Sequence, residues 1–261
     1  MKRTLPLLLI ITAITIALAG CGTPSPGTGG PGTGGPGTGG SGAGGSGVAP
    51  RGGGGSAGAE GAVVKADSTA AVFRGSIATG RDTVRKRVRY SWRPGCPVGP
   101  VELRLLLVDY WGFDGRVHRG ELIVHRDQAG RILVVFGKLF RARYPVQRLR
   151  VVDAYRADDD RSMAANNTSG FNCRRVSGSS SWSEHAFGRA IDLNPLRNPY
   201  VTQGGWVSPP AGRPYANRAR RAAGMIHGGD TVVRAFAAAG WRWGGNWSGS
   251  RDYQHFSATG R

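Results

Sequence analysis

Between residues 22 and 61 the chain is built mainly from Gly, Pro, Thr, Ser and Ala, opening on a repeated Pro-Gly-Thr-Gly-Gly. Such a segment has almost no apolar surface to bury, so nothing offsets the entropy of ordering it. It is expected to stay disordered. As a flexible coil of about 40 residues it spans about 35 Å on average. Any hydrophobic core must then come from the remaining stretch of roughly 190 residues, which suffices for one domain.

The segment before the glycines reads as a targeting signal over residues 1–21. Lys2 and Arg3 form a charged start, and Leu5 to Ala17 is an apolar run too short for a convincing transmembrane helix. It ends in Leu18-Ala19-Gly20-Cys21, which resembles a lipobox. By that resemblance Cys21 becomes the lipidated first residue of the mature chain. Residues 22–61 then form a tether that lifts the domain off the bacterial cell membrane towards the cell wall. The formal net charge is +19, from 35 Lys and Arg against 16 Asp and Glu. So basic a chain favours polyanionic surroundings. Export makes these a wall or a membrane surface and excludes nucleic acid as a partner.

Two further cysteines, Cys96 and Cys173, are either a disulfide or a pair of buried thiols. Neither lies in a C-x-x-C spacing, so a cysteine metal site has no support. Residues 62–90 read as a basic arm or the edge of the domain. Their run Arg85-Lys86-Arg87-Val88-Arg89 is either solvated surface or a wall-binding patch. The domain proper is expected over residues 91–261.

Within it, Val101 to Tyr110 fits strand or helix, and Gly120 to His125 fits a strand. Asp127 is placed to cap a helix carrying Ile132, Val135, Phe136, Leu139 and Phe140 on one face, with Pro145 ending it. Arg148 to Tyr155 alternates like a strand, and Arg161 to Ser181 reads as mostly loop. Ala190 to Leu193 is a short strand. Asp230 precedes a helix that stops at Gly240, and Tyr253 to Ser257 closes as a strand. The pattern gives an α+β class, a small central antiparallel sheet with flanking helices.

Five histidines are few enough to weigh singly. A catalytic zinc takes three protein ligands, commonly His nitrogen and carboxylate oxygen. His185, Asp192 and His255 offer that set. Asp192 sits in apolar Ala190-Ile191-Asp192-Leu193, where an ionised group needs a strong partner. His118, His125 and His227 have no partner at ligand spacing. Trp182, Trp241, Trp243 and Trp247 are read as groove lining or core.

The pattern S-x-H-x-x-G-x-A-x-D is filled by Ser183, His185, Gly188, Ala190 and Asp192. A later D-x-x-H is filled by Asp252 and His255, after a lead-in Trp241-Arg242-Trp243-Gly244-Gly245-Asn246-Trp247. Together they resemble the VanY-like D-alanyl-D-alanine carboxypeptidase and L-alanyl-D-glutamate peptidase family, related to lysostaphin-type enzymes and the hedgehog fold. The resemblance spans about Ser91 to Phe256.

It implies a hedgehog-like zinc peptidase domain with His185, Asp192 and His255 on Zn2+ and Asp252 as the catalytic base. Asp252 and His255, three apart, fall on opposite faces of a regular strand. Both serve one site only if the backbone turns between them, so Asp252 is placed on the loop entering the strand. The family's upstream Arg corresponds to Arg156 in Ala154-Tyr155-Arg156, although Ala157 and three acids then depart from its pattern. Arg174 is the alternative. The implied substrates are peptidoglycan stem peptides, cut by a monomer as carboxypeptidase or endopeptidase. The alternative function is a catalytically silent cell-wall-binding module of the same fold.

Overall fold

The computed structural model describes residues 71–261. The signal segment with Cys21, the tether and the first part of the 62–90 arm lie outside the described residues. Among the described residues no helix is long and apolar enough to cross a membrane.

The described part of the arm is built into the domain. It forms β1 (Gly75–Ala78) and α1 (Arg81–Arg87). β1 pairs antiparallel with β2 (Leu103–Trp111), setting Gly75 opposite Val108. Val84 and Val88, four apart among arginines, are buried in one cluster with Leu103, Leu105 and Ile123. Surrounding charge hid these two anchors; the described part of 62–90 is domain edge, with packing from Phe73 onwards.

β2 pairs along its whole length with β3 (Val117–His125). Alternate residues feed two cores. Leu106, Val108, Leu122 and Val124 join the main cluster, while Leu103, Leu105 and Ile123 join the second. Both faces of this hairpin are covered, so its apolar run lacks the alternation that separates strand from helix in a sequence.

α2 (Ala129–Arg141) buries Ile132, Val135, Phe136, Leu139 and Phe140, the expected face. Its N-cap is Gln128 rather than Asp127. The Asp127 carboxylate instead accepts from His125 Nδ1 and from Arg189, each at 2.6 Å. The helix ends at Arg141, before Pro145.

After β4 (Arg148–Leu149), the Val152–Tyr155 segment is a 3-10 turn and not a strand. Its Asp153 turns to accept from the Tyr90 and Ser91 amides at 2.8 and 2.9 Å. Arg156 and Ala157 then adopt left-handed φ of 56° and 61°, which ends any extended run. The expected loop opens with α3 (Asp159–Ala164), capped by Asp158, and continues to β5 (Asn167–Thr168), parallel to β4.

The remaining elements are β6 (Ala190–Asp192), β7 (Tyr200–Val201), β8 (Val207–Ser208), α4 (Arg213–Ala216), α5 (Thr231–Ala238), β9 (Arg242–Trp243), β10 (Arg251–Asp252) and β11 (His255–Ser257). Asp230 caps α5, accepting from the Val233 amide at 2.9 Å. The strands form antiparallel sheets in the orders β6-β11-β9 and β10-β7-β8, beside β1-β2-β3. The class is therefore α+β, with several small antiparallel sheets in place of one central sheet.

Cys96 and Cys173 are joined, with Cα atoms 5.9 Å apart. Phe236 of α5 stacks on Phe256 of β11, ring centroids 4.0 Å apart and both rings fully buried. This contact holds the β6-β11-β9 sheet against the helical layer. Phe236→Ala is expected to destabilise the domain by about 3–5 kcal/mol. Urea unfolding measures it, and a loss under about 1 kcal/mol would show that the sheet does not depend on α5.

Candidate metal centre

His185 stands on a 3-10 turn, Glu184–Phe187, that leads into β6. The Ser183 hydroxyl caps the turn by accepting from the His185 amide at 3.3 Å. Gly188 ends it with φ 65°, and its carbonyl accepts from the His125 amide at 2.8 Å. A Cβ at Gly188 would lie 2.7 Å from that His125 nitrogen, so the motif's glycine is required both for φ and for contact with β3. Ala190 is fully buried. The fixed positions of the first motif thus carry the turn and its packing.

A segment read as loop does much of the positioning. Ser169 exchanges both backbone hydrogen bonds with Asp192, at 3.0 and 2.9 Å. The Gly170 carbonyl accepts from His185 Nδ1 at 2.6 Å. The Asn172 amide donates to the His185 carbonyl, and the Ser183 amide to the Arg174 carbonyl. Residues 169–174 are therefore a spine against which the motif is folded. Gly170 must be glycine, because a Cβ would meet the Ile123 carbonyl at 2.4 Å. The density of Ser, Asn and Gly in this stretch signals loop, and only Gly170 carries a hint of its role.

Asp192 and His255 are directly opposed partners on β6 and β11. His255 Nδ1 lies 3.0 Å from Asp192 Oδ1, and His185 Nε2 lies 3.1 Å from Asp192 Oδ2. The two ring nitrogens are 3.3 Å apart. All three residues are buried. The outer nitrogens are occupied: His185 Nδ1 donates to Gly170 as above, and His255 Nε2 to the main-chain oxygen of Arg261 at 2.9 Å. Those bonds fix the tautomers and aim two imidazole lone pairs at one point beside a carboxylate. Donors of this kind, two nitrogens and one oxygen within 4.8 Å of one another, fit zinc.

The electrostatics favour positive charge there. Burial alone would raise Asp192, yet the two imidazoles outweigh it and hold the carboxyl well below the usual range. Burial alone would lower His255, yet Asp192, Asp252 and the Arg261 oxygen push it up to about 9. Protonated imidazole stands in for the positive charge that the carboxylate requires.

Asp252 lies next to this cluster in the opposite state. It sits on β10, which pairs with β7, and the chain bends at Tyr253 and Gln254 before β11. Asp252 is thus on a short strand of its own and not on a loop, while the turn required between it and His255 is present. Burial raises its pKa to about 6, against the lowering pull of His255 and with a further rise from Asp192. Its Oδ1 is buried with no hydrogen-bond partner among the described residues. The Trp/Gly lead-in holds the turn. Trp243 Nε1 donates to the Tyr253 carbonyl at 2.9 Å, and a Cβ on Gly244 would meet the Asp252 carbonyl at 2.7 Å. Trp247 packs against His255, centroids 5.6 Å apart. Trp241 and Trp243 are core, so the four tryptophans divide evenly between core and partly exposed positions.

The structure separates the two candidate arginines. Arg156 is exposed on the left-handed turn and makes no side-chain hydrogen bond or ion pair among the described residues. Arg174 faces the acids. Burial would lower its guanidinium, but Asp159, Asp192 and Asp252 together hold it above its ordinary value. Its Nε lies 3.0 Å from Asp159 Oδ2. The acid run after Arg156, a departure from the family pattern, therefore supplies the partner of Arg174. The remaining histidines stay outside the cluster: His118 pairs with Asp114 at 2.9 Å, His125 with Asp127, and His227 Nε2 meets the Arg220 carbonyl.

Residues 177–258 match the family model described as D-alanyl-D-alanine carboxypeptidase. The match contains both motifs whole, and it supports a VanY-like peptidase family. No curated protein and no solved structure matches the chain significantly.

Added zinc is expected to raise the melting temperature of the protein, by about 2.7 kcal/mol of stability at a hundredfold excess over Kd. His185→Ala and Asp192→Ala should each abolish that shift and reduce bound zinc in elemental analysis. An unchanged shift in either variant would place the metal elsewhere.

Proposed function

We propose that this domain is a zinc-dependent peptidase that hydrolyses stem peptides of peptidoglycan outside the cytoplasm. The supporting observation is one juxtaposition: a converging His–Asp–His donor set beside Asp252, whose Oδ1 is buried and unpartnered, inside the stretch that matches the carboxypeptidase family. On this reading Cys21 carries the lipid anchor, residues 22–61 are the tether, and the chain works as a monomer.

His185, Asp192 and His255 would hold the zinc. When bound, zinc supplies Lewis acidity that makes a water molecule a competent nucleophile near neutral pH. Asp252 accepts the proton of that water as its oxygen forms the new bond to the peptide carbonyl carbon. The C–N bond then breaks, and Asp252 returns the proton to the leaving amine. A pKa near 6 leaves Asp252 ionised at neutral pH and still basic enough to take the proton. Arg174 directs N–H donors at the carbonyl oxygen as negative charge develops there. Arg156 has no part in this arrangement.

Mass analysis of purified muropeptides after incubation, with and without a chelator, names the bond that is cut. Loss of a terminal D-alanine marks a carboxypeptidase, and a cut between L-alanine and D-glutamate marks an endopeptidase. Unaltered muropeptides from the zinc-loaded protein would leave the wall-binding module as the reading. Turnover indifferent to the chelator would rule out the metal mechanism.

The pH dependence follows from Asp252. The ionised form works, so kcat/KM rises with pH through about 6. Asp252→Asn should lower kcat/KM by about a hundredfold or more while zinc content is unchanged. The folded pKa lies above the ordinary 3.8, so between 3.8 and about 6 the folded state binds more protons, and stability falls as pH rises through that window. The Asn variant removes that penalty and should melt no lower than the parent at pH 7. An Asn variant with full activity would remove Asp252 from the mechanism.

A further inference from the structure

The basic run of the arm has a structural counterpart that the peptidase chemistry does not use. A cleft of about 660 Å³ opens over the β2–β3 hairpin, between the end of α1 and the segment after β4. Its cations are Lys86, Arg87 and Arg89 on one wall, Arg150 on the other, and Arg119 on the floor side. Gly120 and Leu149 form the floor; a Cβ on Gly120 would lie 2.6 Å from Leu149, so bare backbone lets Leu149 seat directly on β3.

The two acids that line the cleft are already engaged. Glu121 is clamped by Arg87 through two hydrogen bonds of 2.8 Å. The Asp153 oxygens accept from the amides of Tyr90 and Ser91 and from the Ser91 hydroxyl. Arg119 is held by Asp109 at 2.9 Å. Lys86, Arg89 and Arg150 are exposed and have no ion-pair partner among the described residues. Three uncompensated cations therefore face one concavity from both walls.

We propose that this cleft binds a linear polyanion whose charges are phosphate groups, of the phosphodiester-polymer class. A concave site with cations on opposing walls suits a threadlike ligand rather than the plane of a bilayer. Separated point contacts suit a polymer carrying one charge per repeat. Arginine dominates the lining, and its planar fork matches tetrahedral phosphate oxygens better than an ammonium does. The ligand would hold the domain on its substrate matrix, and the attraction would weaken as salt rises.

The test uses the full chain, with long-chain inorganic polyphosphate as probe and fluorescence anisotropy as readout. Lys86→Gln/Arg89→Gln/Arg150→Gln should weaken binding by at least about tenfold, 1.4 kcal/mol. An equal charge change on exposed residues outside the cleft, Arg213→Gln/Arg220→Gln/Arg221→Gln, should weaken it far less. Both triples alter exposed side chains, and matching melting curves verify their folds. Equal losses in the two triples would reduce the attraction to net charge and overturn the site. Binding of polyglutamate as tightly as polyphosphate would overturn the phosphate assignment. Tighter binding to phosphatidylglycerol vesicles than to polyphosphate, lost in the first triple, would make the occupant a membrane and overturn the polymer. His185→Ala should bind polyphosphate like the parent, so the outcome is independent of the peptidase reading.

Discussion

The pairing of β6 with β11 is the constraint on which the site rests, because it sets Asp192 directly across from His255. Two imidazoles and a carboxylate then meet in one buried space, where the carboxylate draws positive charge towards itself. The fold has to hold them there. Phe256 and Ile191, neighbours of the ligands on the same strands, are locked in the main core. The outer ring nitrogens are tied to backbone oxygens, and residues 169–174 brace the His185 turn from behind. Packing and peptide hydrogen bonds thus hold three polar side chains together in a place where a buried charge needs a partner.

Two interacting carboxylates from distant parts of the chain are driven in opposite directions. Asp192 is surrounded by imidazole and stays ionised. Asp252 is buried beside that negative charge without a partner for Oδ1, and its proton affinity rises. Environments that push paired acids apart in this way separate a charge-holding role from a proton-moving one. Arg174 mediates between them, drawn to both acids and to Asp159.

The parts of the site readable from sequence were those fixed by side-chain chemistry. His185, Asp192, His255 and Asp252 carry the donor and acceptor chemistry that a metal centre and its base would need, while the one cap assigned from sequence, Asp127, is turned to His125 and Arg189 instead. The parts that escaped are fixed by backbone. The 169–174 spine acts through carbonyls and amides, which every residue possesses, so only Gly170 marks it. Val152 to Tyr155 alternates like a strand, but the pull of Asp153 towards the Tyr90 and Ser91 amides winds it into a turn and leaves Arg156 outside. Arg174 became distinguishable only when the acids of 159, 192 and 252 converged on it from distant positions. The choice between arm and domain edge stayed open for a different reason: two buried valines were outnumbered by the arginines around them.

The bond between Cys96 and Cys173 acquires meaning from what adjoins it. Cys173 immediately precedes Arg174, and its carbonyl also receives Arg93 at 2.9 Å. The covalent tie therefore fastens the guanidinium's own segment to the stretch between α1 and β2. Thiols stay reduced in most cytoplasms and oxidise outside. A chain with this crosslink ties the position of one guanidinium to the redox state of its surroundings, for the segment carrying Arg174 is held to its anchor only where thiols oxidise.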